Sequence, residues 1–223
     1  MKREVRMEDI SDGKFYTAND LVKADCGDCE GCSACCHGMG SSIVLDPLDI
    51  YRLTSGMQVT FERLLADKIE LNVVDGLILP NLKMSGEREC CTFLNEEGRC
   101  SIHAIRPGIC RLFPLGRYYE KGTFQYFLQI HECQKENRTK VKVKKWIDTP
   151  NLKKNEKYIS DWHYFLLEVQ GKLLKTEDET VKKINMFLLQ SFFLEPYKAE
   201  EDFYVQFDER LAKVKETLQM ILG

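Results

Sequence analysis

Apolar residues recur at helical spacing most regularly in the last third of the chain. Ile159, Trp162, Phe165, Leu166, Val169 and Leu173 share one face of a helix predicted over 156–175. Val181, Ile184, Phe187, Leu188 and Phe192 do the same over 177–194, which opens on a Thr176-Glu-Asp-Glu179 capping box. A third pattern, Leu211, Val214, Leu218 and Leu222, predicts a helix over 201–222 that stops at Gly223. Upstream the pattern is shorter and more broken. Asp46-Pro47 places a cap and an N1 proline at the start of a helix running to about Thr54 and ended by Gly56. Phe61, Leu64, Leu65 and Ile69 mark a helix over 57–72, and Asp75-Gly76 before Leu-Ile-Leu marks a hairpin-like turn.

Smaller elements complete this reading. Residues 16–24 read as a short helix or turn capped by Thr17 or Asn19, and Ser42 to Leu45 as a short strand. Residues 100–105 read as a helical turn stopped by Arg106-Pro107, because the residue before proline is pushed out of the helical region. Residues 123–130 form a strand that delivers Cys133. Between Lys135 and Lys157 nine basic residues face three acidic ones, which predicts a linker or an exposed strand and loop. The sum is a helix-rich α+β fold: a small irregular cysteine-rich core with short strands, stapled by metal, followed by a three-helix C-terminal unit. The expected division is a cysteine-rich domain over 1–140 and a helical extension over 141–223.

Composition narrows the function. A chain of 223 residues with 43% apolar content is long enough to fold without being disordered. A net charge of -3 gives no general reason to bind nucleic acid or anionic membrane, and neither is expected as a partner. The alternating Lys140-Val-Lys-Val-Lys-Lys-Trp146 is read as a solvated face rather than a nucleic-acid strip. Phe187 to Leu194 is apolar enough for a protein partner at the C-terminal helices, although a buried helix explains it more simply. The N-terminus mixes charges and lacks the apolar run of a secretory signal, so a cytoplasmic location is expected.

All ten cysteines fall in the first 133 residues, and five of them stand between Cys26 and Cys36. In a reducing compartment such density points to metal or redox chemistry before structural disulfides. Thiols at i, i+3 and i+6 among glycines suit an iron–sulfur cluster, and paired Cys-x2-Cys turns suit zinc as well. Neighbouring side chains in extended or turn backbone diverge, so Cys35 with Cys36, and Cys90 with Cys91, are not expected to share one mononuclear ion comfortably. One of each pair then serves a second centre or is a spare, and ten thiols suffice for two centres.

The composite Cys29-x2-Cys32-x2-Cys35-Cys36, Cys91-Thr-Phe-Leu, Cys100-Ser-Ile-His and Arg106-Pro-Gly-Ile-Cys110-Arg-Leu-Phe-Pro, with a later Cys133, resembles the YkgJ-like cysteine-cluster family of zinc- or iron-chelating proteins. The resemblance spans roughly 26–133 and implies Cys29, Cys32, Cys35, Cys36, Cys91, Cys100, Cys110 and Cys133 as ligands of a [4Fe–4S] cluster or zinc. Cys26 and Cys90 lie outside the pattern and are extra ligands or small buried hydrophobes. His37, beside Cys36, is a candidate ligand, whereas His103, where the family usually has tyrosine, is expected to pack or hydrogen-bond nearby. Arg106 and Arg111 flank Cys110 and are placed to offset thiolate charge. The family is also similar to the cysteine-rich part of flagellin lysine-N-methylase, which implies an alternative role in cluster-dependent redox or protein-modifying chemistry. No glycine-rich cofactor fingerprint accompanies it.

Overall fold

The computed structural model describes residues 6–27 and 32–222. About 46% of the chain is helix and 23% strand, in short antiparallel pairs with a helical C-terminus, the helix-rich α+β class expected. In chain order the elements are α1 (Met7–Ile10), β1 (Ser11–Tyr16), β2 (Leu21–Asp25), α2 (Pro47–Met57), α3 (Phe61–Asp67), β3 (Ile69–Val74), β4 (Leu77–Leu82), β5 (Met84–Ser85) and β6 (Cys90–Cys91). Then follow α4 (Gly108–Leu112), β7 (Leu115–Glu120), β8 (Thr123–Gln129), β9 (Thr139–Lys142), α5 (Val143–Ile147), α6 (Leu152–Leu173), α7 (Asp178–Leu189) and α8 (Phe203–Leu222). Among the described residues no helix is long and apolar enough to cross a membrane.

Two compact units emerge, each discontinuous in sequence. One joins Val44–Lys83 to the chain from Trp162 onward; the other joins the segment up to Ile43 to Met84–Asp161.

The first unit is held by aromatic burial. Trp162 meets Phe192 edge to face at 4.9 Å, and Phe192, Phe165 and Phe207 are almost completely buried. Tyr51 on α2 stacks on Phe203 at 5.3 Å. Asp46 caps α2 through the amide of Asp49, which returns the bond, so the predicted start is correct in detail. The helix runs past Gly56 to Met57 because the left-handed position falls on Gln58, with φ 55°. Thr60 caps α3 and β3 begins at Ile69, which trims the expected helix 57–72 at both ends. The hairpin turn is confirmed: Asp75 and Gly76 both take positive φ, 49° and 83°, the twist that two-residue hairpins need. Buried Asn185 on α7 pins that hairpin, accepting from the Ile78 amide at 2.7 Å and donating to the Gly76 carbonyl at 3.1 Å. Val44 makes a single bridge to Asn81, shorter than the expected strand.

The capping box expected at Thr176 is absent. Its hydroxyl donates back to Lys172 O at 2.9 Å, so Thr176 closes α6, and Glu177 starts α7 without a side-chain cap. The end of α7 widens into a π-turn over Gln190–Leu194. Arg210 finishes that end by donating to the carbonyls of Ser191, Glu195 and Pro196, with its guanidinium 3.9 Å from the Tyr197 ring centre.

The second unit rests on a three-stranded antiparallel sheet ordered β1-β8-β7 and a separate β2-β9 pair. Opposite Phe127 stands Gly116, and the ring occupies the space a Cβ would need. Residues 16–24 are not helical: a turn closed by the Asp20 carboxylate on Thr17 leads straight into β2. Of the two readings of the basic segment, the exposed strand holds for β9 and the linker does not. Its alternation puts Val141 against the core, and α5 buries Val143 and Ile147 beside Val22, Ala24, Leu112, Leu115, Tyr126 and Leu128 while the lysines face out. The Tyr126 hydroxyl donates to Glu156 at 3.0 Å, which ties the start of α6 to the sheet.

Candidate metal centre

Backbone pairing brings the two cysteine segments together. A single 3₁₀ turn carries Cys35 and Cys36, closed by the Cys36 amide on Ser33 O at 2.8 Å. His37 then bridges to Cys90, with the Gly38 amide on Glu89 O at 3.0 Å. On its other side β6 pairs with β5, setting Cys91 opposite Met84 and Cys90 opposite Ser85. Cys100 is held across from Leu94 by a further bridge, and the Ser101 amide donates to Phe93 O at 2.8 Å. Gly98, in the turn between them, has φ 71° and packs near Ser33. Cys29 lies outside the described residues.

The thiols so gathered share one electrostatic field. Cys36 donates to Cys35, and this bond, against burial and with help from Arg106 and His37, brings the Cys35 thiol down to about 7. The same bond, burial and the neighbouring Cys35, Cys91 and Cys100 push Cys36 up. Burial pushes Cys100 up as well, partly offset by the Ile102 amide and Arg106. Contrary to the expectation for neighbours in a turn, the Cys35 and Cys36 thiols do not diverge beyond reach of each other, since a hydrogen bond joins them across the 3₁₀ turn. Cys90 and Cys91 do behave as strand neighbours, with Cys91 buried and Cys90 half-buried.

The flanking cations separate in role. Arg106 faces the thiols and donates to His103 Nε2, so that nitrogen is an acceptor and the His103 proton sits on Nδ1. Arg111 donates instead to the carbonyls of Ala104 and Asp148, fastening α4 to its surroundings. Cys110 rides on that helix, half-buried. His37, the candidate ligand beside Cys36, donates from Nδ1 to the Ser33 carbonyl at 2.8 Å. A cleft lined by Cys26, Cys32, Cys35 and Cys133 shares Cys35 with the quartet Cys35, Cys36, Cys91 and Cys100. The role of Arg106 was visible in its position near Cys110, but its link to His103 needed the 3₁₀ turn at 103–105 to be known.

None of the nine described cysteines is in a disulfide. Among the described residues no three His, Cys, Asp or Glu side chains stand at ligating geometry, so the thiols are gathered but not closed around a point. Soft sulfur donors beside a guanidinium fit zinc or iron rather than a hard cation.

A family model, CxxCxxCC, described as "Putative zinc- or iron-chelating domain", matches residues 28–140. The chain belongs to the CxxCxxCC family. Membership makes it a metal-binding cysteine-cluster protein with zinc or iron as the metal. The CxxCxxCC match takes in nine of the ten cysteines and leaves Cys26 outside it. No curated protein and no solved structure matches the chain.

Proposed function

We propose that this CxxCxxCC protein holds a thiolate-bound centre, a [4Fe–4S] cluster or a zinc ion, with ligands drawn from Cys29, Cys32, Cys35, Cys36, Cys91, Cys100, Cys110 and Cys133. The observation that carries the reading is the mutual influence of Cys35, Cys36, Cys91 and Cys100, four thiols from two distant segments that perturb one another beside Arg106. Of the four, Cys35 gives up its proton to a metal most readily, because the Cys36 hydrogen bond lowers its thiol to about 7. When bound, the group supplies structural closure and, as a cluster, one-electron chemistry. The chain's own residues gather the sulfurs, and Arg106 offsets their negative charge while His103 orients it. We place the protein in the reducing cytoplasm, where these thiols stay available.

Anaerobic purification followed by metal and acid-labile sulfide analysis tests the reading. The expected result is iron with sulfide, or stoichiometric zinc without it, lost in Cys91→Ser and Cys100→Ser. Folded protein containing neither metal would overturn it.

A further inference from the structure

In the helical unit Trp162 of α6 stands 6.1 Å from Phe207 of α8, and Phe192 touches both rings. Farther along the same two helices a cavity of about 240 Å³ lies between them. Because 162 meets 207 and 168–172 face 215–219, α6 and α8 run in the same direction and the cavity lies toward their C-terminal ends. Its floor is hydrocarbon: Phe165, Val169 and Leu218, all buried. Its rim is polar, with more positive charge than negative. Glu168 takes Lys172 at 3.2 Å, one turn apart on α6, whereas Lys215 makes no ion pair among the described residues. Gln219, one turn beyond Lys215, adds an amide to the same rim.

From this arrangement we infer a binding site for a small apolar molecule with a carboxylate head, the class of medium-chain fatty acids. The site belongs to the helical unit and uses none of the thiols, so it and the metal centre stand or fall separately. Three arguments set the class of ligand. At roughly 30 Å³ for each water-sized group, the cavity takes on the order of eight non-hydrogen atoms, an alkyl chain but not a nucleotide. The floor offers no hydrogen-bond partner, so the part of the ligand that reaches it is hydrocarbon, and the lysine stems continue that apolar wall toward the rim. The head is anionic because Lys215 carries a charge that Glu168 does not answer, and the Gln219 amide can donate to the second carboxylate oxygen. The negative helix ends do not cancel this attraction. Their influence fades within the last turn, and Lys215 lies about two turns before the end of α8 at Leu222.

The experiment titrates the full-length protein, with its metal complement in place, with octanoate by calorimetry, while methyl NMR of Val169 and Leu218 reports where it sits. Expected is one octanoate per chain, with shifts centred on those methyls. Octylamine, of equal length and opposite charge, binds at least tenfold more weakly. Lys215→Met weakens octanoate by about fivefold, the loss of one exposed ion pair, and leaves 1-octanol unchanged. Gln219→Trp fills the cavity from its exposed rim and abolishes uptake, and retained metal content and circular dichroism report that the variant folds. No saturable uptake by the wild type would overturn the inference, as would octylamine binding as tightly as octanoate, or methyl shifts that bypass Val169 and Leu218. A dimer that Gln219→Trp dissociates, in a protein that excludes octanoate, would also overturn it by giving the cavity to a second copy of the chain.

Discussion

The two units solve the problem of burial differently. Around α7 and α8, the unit with Val44–Lys83 fills its interior with Trp162, Phe165, Phe192, Phe193, Phe203 and Phe207, and aromatic rings in such numbers carry much apolar area per residue. In the other unit the main apolar cluster is eight mostly aliphatic residues behind β2, β8, β9 and α5, and the loops that carry the cysteines rest on a few isolated bridges. Little regular structure supports the second arrangement, and under the proposed reading a thiolate-bound metal adds cohesion where apolar area and ladders run short. On that reading one chain divides its stability between burial and coordination, region by region.

Metal removal breaks the comparison open with the largest effect. Structural thiolate sites contribute on the order of 10 kcal/mol. Chelation should therefore abolish amide exchange protection at 32–43 and 84–112 while α2, α7 and α8 keep theirs. Equal loss in both units, or none in either, would contradict the division. Phe207→Ala acts on the opposite side: removal of a ring with no exposed surface costs about 3–5 kcal/mol, seen as a fall in denaturant midpoint for the helical unit with metal content unchanged. Asn185→Ala is milder. It strands the Ile78 amide and the Gly76 carbonyl, about 1–3 kcal/mol, and faster exchange confined to β3 and β4 is the expected sign.

Acid provides the smallest contrast. Burial holds His163 neutral, down to about 4 from an unfolded value near 6.5. The unfolded chain thus takes up a proton that the folded one refuses. Stability is level above about pH 6.5 and declines as pH falls from there toward 4. Because the ring is only half-buried, screening cuts the effect to about 1 kcal/mol. His163→Gln should flatten the melting temperature of the helical unit over that range, and an unchanged slope would remove His163 from the account.

What could be read in the sequence was local. Asp46-Pro47 and Asp75-Gly76 each carry their whole instruction within a few residues, and the three C-terminal helices declare themselves by period. Strand β2 carries no such mark. Its partner β9 lies in a lysine-rich stretch whose composition suggests solvent, and only the pairing of Val22 with Val141 gives either a reason to be extended. Thr176 shows the converse, since the same residue satisfies the end of one helix or the start of the next and local pattern does not choose. At the candidate site the cysteine spacing made metal legible. The bridge from His37 to Cys90 and the approach of Cys26 to Cys133 depend on register between distant strands, which no spacing within either segment encodes.

The interleaving of the two units has a consequence for biosynthesis. A chain emerging from the ribosome exposes Cys26 through Cys36 well before β9 and Cys133, and Val44–Lys83 well before the helices that cover it. Neither unit reaches its full set of contacts until more than half the polypeptide is made, so domain-by-domain folding from the N-terminus is closed to this topology. The thiols therefore pass through translation as an open chelator, and the identity of the metal first offered to them becomes a matter of cellular supply and timing as much as of the finished fold.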